Sequence, residues 1–478
     1  MKAVRLFIPL FAATLVGCPV NPATGERQLI LVSESQEIEM GREGSQQVEA
    51  TMGLYDDPDL QEYVNGIGQE LAANSEKPNL PWSFKVVDDV VVNAFALPGG
   101  FIFVTRGILA HFNSEAELAG VLGHEIGHVT ARHSAEQISR AQVAQLGLAA
   151  GTVFVPEFTP YANVAGSGLG LLFLKFGRDD ERQSDDLGFR YMTRAGYDPM
   201  QMVEVFEMLG RVSASAGGSG IPNWLSTHPD PGERRERMQR ALSETGASGG
   251  TIGQDRYMQM IDGLVFGENP RNGYFRGADF FHPDLEFRMT LPAGWKTQNT
   301  PQAVFAGSPE EDAIMQLSLG QGESVDAAAQ SFLGQQGIQA GPTTRDAVNG
   351  LPAAWATFSA TSQNTEIRGL VAFIAYNDLI YQVLGYTLAG KMSTYDPAFR
   401  STIRSFDRLA DPEALNVQPG RLEIIRLDQA MTFEQFTQRY PSTADVKALA
   451  LINDVEEGEM LPAGRYMKRV VGGVLPEN

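Results

Sequence analysis

Hydrophobic positions change their period along this chain, and the changes mark out its units. From Ser33, and again from about Asp59 to Ala73, apolar residues recur every three or four positions, which predicts two amphipathic helices. Trp82 to Val87 and Val90 to Phe95 have strand composition, and Leu97-Pro98-Gly99-Gly100 turns the chain into Phe101-Ile102-Phe103-Val104, so a small sheet with a hairpin follows. Ser114 and Glu117 have the spacing of a capping box and open a long helix whose apolar stripe includes Leu118, Val121, Leu122 and Val129. The apolar, Gly-rich run from Ala144 to Phe176 is interrupted by Pro156, Glu157 and Pro160, which favours two short buried helices over a membrane span. A further helix is expected from about Asp180 to Ala195, ending at Gly196. Ser213 to Gly220 reads as a flexible loop, and Gly246 to Gly250 closes this part of the chain.

From about Asp279 the period shortens to that of strands: Phe287 to Leu291, Ala313 to Leu319, Ala353 to Ser359, Gly369 to Tyr376 and Leu379 to Tyr386, with a helix from Val325 to Gln336 among them. A last unit follows Pro419-Gly420, containing Phe433 to Tyr440, Val446 to Ile452 and Met460 to Val471. A chain of 478 residues is too long for one ordinary core. The expected class is α+β: a mainly helical domain with a small sheet over 33–245, a linker over 246–278, a small α+β accessory domain over 279–410 and a short C-terminal module over 419–478.

The amino terminus adds an address. Lys2 and Arg5 precede the apolar run Leu6 to Leu15, too short to span a bilayer, and Leu15-Val16-Gly17-Cys18 follows. That is the layout of a secretory signal, and Leu-Val-Gly-Cys resembles the lipobox of bacterial lipoproteins, with residues 1–18 as signal and 19–32 as tether. Cys18 would be the acylated first residue of the mature chain, and Pro19 beside it resembles the pattern sent to the outer membrane where the envelope is Gram-negative. As the sole cysteine, Cys18 leaves the fold no internal disulfide. The formal charge of −21, or −23 once Lys2 and Arg5 are removed, argues against nucleic acid and anionic headgroups as partners.

The chemistry sits in the long helix. His124 and His128 are four positions apart, ~40° around the axis, so both imidazoles leave one face, with Glu125 between them. In an HExxH arrangement the histidines hold zinc, while the Glu takes a proton from the attacking water and hands it to the leaving amine. A third ligand is needed, and the later helix offers Glu181, with Asp185 one turn on to receive the outer nitrogen of a ligating His. An acidic solvated face, with Asp179, Asp180 and Asp186 alongside, is the competing reading of that helix. His133 lies nine positions after His124, ~180° around the same axis, so it joins the site only where the helix breaks. His111 and His282 have no spaced partners and read as ordinary residues. Thr227-His228-Pro229-Asp230-Pro231 reads by composition as a Pro-rigid loop entering a helix.

With Asn93-Ala94-Phe95, Pro98-Gly99-Gly100, His124 to His128, Glu181 with Asp185, and Thr227-His228-Pro229 with Arg234, residues 33–242 resemble the HtpX/BepA-type zinc metallopeptidases, relatives of the CAAX prenyl proteases. The resemblance implies one zinc ion held by His124, His128 and Glu181, with Glu125 as general base. It implies that the strand carrying Asn93, Ala94 and Phe95 receives substrate as an added β-strand. It further implies that His228 approaches the metal and restrains activity, and that Arg234 helps stabilise the oxyanion. The chain departs from the BepA pattern after this domain, because no helical period of about 34 residues follows. Ala450-Leu451-Ile452-Asn453 and Leu461-Pro462-Ala463-Gly464-Arg465 faintly resemble a LysM-type module, which implies peptidoglycan contact.

The expected function is an envelope endopeptidase that cuts unfolded or misassembled proteins, periplasmic and held at a membrane by lipid on Cys18. A chaperone or assembly factor with a latent metal site is the alternative, and a wall-binding adaptor a third.

Overall fold

Helix α4 (Glu115–Thr130) is buried along its whole length, and the amino-terminal half of the chain is built around it. The structure is a computed structural model describing residues 20–149, 176–215, 227–228, 230–362 and 365–476. The signal with Cys18, nearly all of 150–176 and Pro229 lie outside the described residues. In chain order the first unit runs α1 (Glu34–Met52), α2 (Pro58–Ala73), β1 (Ser83–Val87), β2 (Ala94–Leu97), β3 (Phe101–Thr105), α3 (Arg106–His111), then α4. It continues through α5 (His133–Ala149), α6 (Arg178–Arg194), α7 (Gln201–Ser215) and α8 (Pro231–Thr245). The three strands are ordered β1-β3-β2, with β1 parallel and β2 antiparallel to β3, so β2 is an edge. The expected strand from Val90 starts four residues late, because Thr105 Oγ1 accepts from the Asn93 amide and donates to the Val91 carbonyl, holding that stretch outside the ladder.

Ser114 caps α4 by accepting from the Glu117 amide, while the Glu117 carboxylate accepts from the Asn113 amide rather than that of Ser114, so half of the expected capping box forms. The helix has no solvated face: α2, the sheet, α6, α7 and α9 (Gln254–Ile261) surround it. Its approach to α6 depends on glycine. A Cβ on Gly188 would stand 2.8 Å from the His124 nitrogen, and one on Gly127 2.9 Å from Ser184 Cα. Only hydrogen at these positions lets the two backbones meet closely enough to face Glu181 and Asp185 toward His124 and His128.

Residues 20–32, expected as a tether, lie against the end of α4. Asn21 Nδ2 donates to the Thr130 carbonyl at 3.2 Å, Gln28 Nε2 to the Ala131 carbonyl at 2.7 Å, and Ser139 Oγ accepts from the Leu31 amide at 2.8 Å. Together with Arg132, whose φ is 58° and whose guanidinium pairs with Glu37 and the Val32 carbonyl, these bonds end α4 and restart the chain as α5. The carbonyls of a helix end need outside partners, and this segment supplies them.

The middle of the chain is a seven-stranded antiparallel sheet, in the order 338–344, 353–362, 365–376, 379–388, 313–319, 303–307 and 296–299. Helix Val325–Leu333 covers one face through Ala328, Ala329 and Phe332, and helix Met392–Ser405 the other through Phe399 and Ile403. The α+β class holds throughout.

Residues 246–278, expected as linker, are largely structured. Tyr257, Met258 and Ile261 of α9 belong to the core around α4, and strand β4 (Val265–Phe266) pairs with strand Gly420–Arg426 of the C-terminal unit. That unit runs strand, helix Phe433–Arg439, helix Val446–Asn453 and strand Tyr466–Val471, and its Leu422, Phe436, Ile452 and Met467 join the same core. Lys468 is buried there, its Nζ donating to the carbonyls of Ala110, Phe112 and Ile452 at 2.9, 2.5 and 2.8 Å. Among the described residues, no helix is long and apolar enough to cross a membrane.

Candidate metal centre

His124, His128, Glu181 and His228 converge, each buried and each offering one ligand atom within 4.8 Å of the others. The first two come from adjacent turns of α4, Glu181 from the first turn of α6, and His228 from the segment leading into α8. His124 Nε2 lies 3.0 Å from His128 Nε2, 3.3 Å from His228 Nδ1 and 3.6 Å from Glu181 Oε2. Glu181 Oε1 lies 3.4 Å from His128 Nε2 and 2.8 Å from His228 Nδ1. A tetrahedral ion with ligands at ~2.0–2.2 Å has edges of about 3.3–3.6 Å, and the separations of 2.8–3.6 Å among these three nitrogens and one carboxylate come close enough to that spacing to fit a divalent metal. Glu125 is fully buried; its carboxylate accepts no hydrogen bond among the described residues, and His228 Nε2 stands 3.7 Å from it. A buried carboxylate with free acceptor capacity needs a hydrogen-bond partner, and none of the described residues supplies one.

Outer contacts orient this set. His124 Nδ1 donates to Asp185 Oδ1 at 2.9 Å, which leaves Nε2 for the centre. Arg234, from α8, is buried; its Nε and Nη2 donate to the two Asp185 oxygens at 2.9 and 2.6 Å, while Nη1 lies 2.9 Å from Glu181 Oε2. Its guanidinium also lies over the Phe206 ring, 4.6 Å from the centroid. Phe176 covers His128, with centroids 4.0 Å apart. His133 needs a correction to its expected isolation: α4 breaks at Ala131–Arg132, and the turn brings His133 Nδ1 to 3.0 Å from His128 Nδ1. It stands outside the four-donor cluster and reaches it through His128.

The charges follow from these contacts. Burial pushes the Glu125 carboxyl above its ordinary range, though His228 and His124 oppose this. Burial would also raise Glu181, but His228 and Arg234 beside it hold it well below. Asp185 is lowered against its burial by Arg234 and His124. Burial drives His128 well down, whereas His228, despite its burial, is raised by Glu181 and Glu125.

Asn93 precedes β2, and Ala94 and Phe95 open it, paired with Val104 and Phe103 of β3. Among the described residues, no strand pairs with the other side of β2. His111 lies away from the centre, its Nδ1 on the Gly107 carbonyl, and burial lowers it to about 4; His282 is packed on Phe280 and Phe287 and is lowered in the same way to about 4.

Residues 58–242 match peptidase family M48. Among curated relatives, the chain is 38% identical over 170 residues to the mitochondrial metalloendopeptidase OMA1 of Arabidopsis thaliana, covering 35% of this chain and 33% of that one. It is 32% identical over 222 residues to the beta-barrel assembly-enhancing protease of Yersinia pestis, covering 45% of each. It is 35% identical over 185 residues to the OMA1 metalloendopeptidase of Schizosaccharomyces pombe, covering 38% of this chain and 53% of that one. The chain thus spans about a third to a half of the length of these relatives.

Proposed function

We propose that this chain, whose residues 58–242 are a peptidase family M48 domain, is a zinc-dependent endopeptidase of the bacterial envelope that cuts unfolded or misassembled proteins and that His228 holds latent. The observation that carries this reading is the four-donor cluster beside a buried carboxylate that accepts no hydrogen bond among the described residues. Zinc, when held by His124, His128 and Glu181, supplies the Lewis acidity that polarises a peptide carbonyl and makes water nucleophilic near neutral pH. Glu125, its affinity for protons raised by burial, takes the proton of the attacking water and delivers it to the leaving amine. Asp185 fixes the tautomer of His124. Arg234 keeps Glu181 and Asp185 ionised, and its guanidinium is the cation offered to a developing oxyanion. An extended substrate adds along the open side of β2, where Asn93, Ala94 and Phe95 begin the strand, and is read mainly through its backbone.

A hydrolytic site keeps one coordination position open, whereas four protein donors close it. His228 therefore has to leave before substrate can bind. The relatives named as proteases support peptidase activity, and the beta-barrel assembly-enhancing protease supports envelope proteins as substrates. Lipid on Cys18 would hold the domain on a short leash: only Pro19 and Val20 separate it from Asn21, which is docked on Thr130, a span of at most about 10 Å. The closed cluster also favours a second reading, a chaperone or assembly factor with a latent site.

Cleavage of a permanently unfolded protein by zinc-loaded chain starting after Cys18 tests the proposal. Wild type should cut, Glu125→Gln should not, and a chelator should stop the reaction. Equal cutting by both would sink it, and absence of cutting by wild type and His228→Ala alike, with zinc bound, would leave the chaperone reading in its place.

A further inference from the structure

His128 must present its Nε2 lone pair to a metal, and so must carry its proton on Nδ1. What fixes that proton is a chain of three side chains reaching the protein surface. His128 Nδ1 meets His133 Nδ1 at 3.0 Å, His133 Nε2 meets Gln183 Oε1 at 3.1 Å, and Gln183 Nε2 donates to Glu26 Oε2 at 2.8 Å. Read from the outer end, every role is determined. The Glu26 carboxylate can only accept, so Gln183 turns its amide NH2 outward and its carbonyl oxygen inward. That oxygen can only accept, so His133 carries its proton on Nε2. Asp180, whose Oδ1 lies 3.8 Å from the same nitrogen, favours the same tautomer. A neutral His133 then has a bare Nδ1; Ser184 Oγ approaches it at 3.4 Å, but His128 Nδ1 lies nearer, at 3.0 Å, and two bare nitrogens at that distance would repel, so the His128 proton is placed on Nδ1.

We propose that Glu26, Gln183 and His133 form a relay of positioning residues that sets the tautomer of the metal ligand His128, making the segment 20–31 a working part of the metal centre. Resting on the zinc-peptidase reading above, the relay explains two features that reading leaves unused. One is the break after α4, which Asn21 and Gln28 stabilise by donating from their side-chain amides to the Thr130 and Ala131 carbonyls, and without which His133 would lie on the far side of the helix. The other is the docking of residues that composition reads as a tether. None of the three side chains touches substrate or the reacting atoms in this arrangement; they act through His128.

The test uses the full chain starting after Cys18, with zinc as the probe. Zinc affinity is measured by chelator competition in wild type, Glu26→Ala, Gln183→Leu, His133→Phe and the Glu26→Ala/Gln183→Leu double variant. Outer partners of a ligating histidine are worth ~10–100-fold in metal affinity. His133→Phe is expected to lose affinity within that range, Gln183→Leu about tenfold, and Glu26→Ala less, because Glu26 is exposed. The double variant should be no weaker than Gln183→Leu alone, since both cut one path. In metal-free protein with 15N-labelled histidine, His128 should show the Nδ1–H tautomer in wild type and a mixture in Gln183→Leu. Glu26 is a surface residue, so its variant folds whatever becomes of the buried ones. Wild-type affinity in Gln183→Leu and His133→Phe, strictly additive losses in the double variant, or an unchanged His128 tautomer would each overturn the relay. Failure of wild type itself to bind zinc would instead remove the zinc-peptidase reading.

Discussion

Replacing His228 by alanine should release a restrained enzyme, and the structure bounds the size of the effect. To open the site, His228 gives up its contact with Glu181 Oε1 at 2.8 Å and its looser approach to Glu125 at 3.7 Å, and it returns to water. With zinc bound, the His228 Nδ1 contact to the metal is exchanged for a water ligand, a net cost taken as that of one charge-assisted hydrogen bond, about 1.5–3 kcal/mol. Each ~1.4 kcal/mol is a factor of ten, so the open form is between about a tenth and a hundredth of the population. Apparent activity is scaled by that fraction. His228→Ala should therefore raise kcat/KM about 10- to 100-fold on an unfolded protein substrate, assayed with zinc in excess because a ligand has been removed. Zinc occupancy must be measured in the same samples. An unchanged or lower kcat/KM at equal occupancy would refute the argument, because His228 would then be a spectator or a needed ligand.

Three further outcomes follow from packing and charge. Gly188→Ala places a Cβ 2.8 Å from the His124 nitrogen and should cost about 1–3 kcal/mol of stability, with weakened zinc binding. Gly210→Ala, in α7 with nothing within 4 Å, should stabilise by about 0.5–1 kcal/mol; thermal melts of the two variants check the contrast, and equal effects would contradict it. Arg234→Leu leaves Glu181 and Asp185 buried without their cation, so metal-free protein should lose about 3–5 kcal/mol, and zinc should restore part of it; a denaturant titration with and without zinc reads both. Lys468→Met removes the donor to three buried carbonyls that join the C-terminal unit to α3, and each acceptor left unmatched costs about 1–3 kcal/mol. Calorimetry should show the α4 core and the C-terminal unit melting together in wild type, with the shared transition lowered in the variant; separate transitions in wild type would contradict a common core.

The chemistry was legible where spacing on one helix determines geometry. His124 and His128 share a face because they are one turn apart, and Glu181 and Asp185 face them for the same reason. What periodicity does not carry is the join between segments. The break after Thr130 depends on Asn21 and Gln28, over a hundred residues upstream, so His133 read as remote when its ring meets His128. His228 read by composition as loop, and only the resemblance pointed it at the metal. In the accessory domain five strands are legible from their apolar runs, while Lys296–Asn299 and Ile338–Thr344 escape because they are edge strands with polar sequences, and the short strands Ala303–Gly307 and Asp279–His282 escape although they are apolar. Helix Met392–Ser405 was hidden by Pro397 in its first turns. The apolar residues of the C-terminal unit were recognised, but sequence alone does not say which core they enter, and they enter the one around α4.

Zinc-edge X-ray absorption on the zinc-loaded chain shows whether four protein side chains close the metal centre. One zinc per chain bound by three imidazole nitrogens and one carboxylate oxygen is expected, changing to two imidazoles with added water or hydroxide oxygen in His228→Ala. Two imidazoles already in wild type, or no stoichiometric zinc at all, would contradict it.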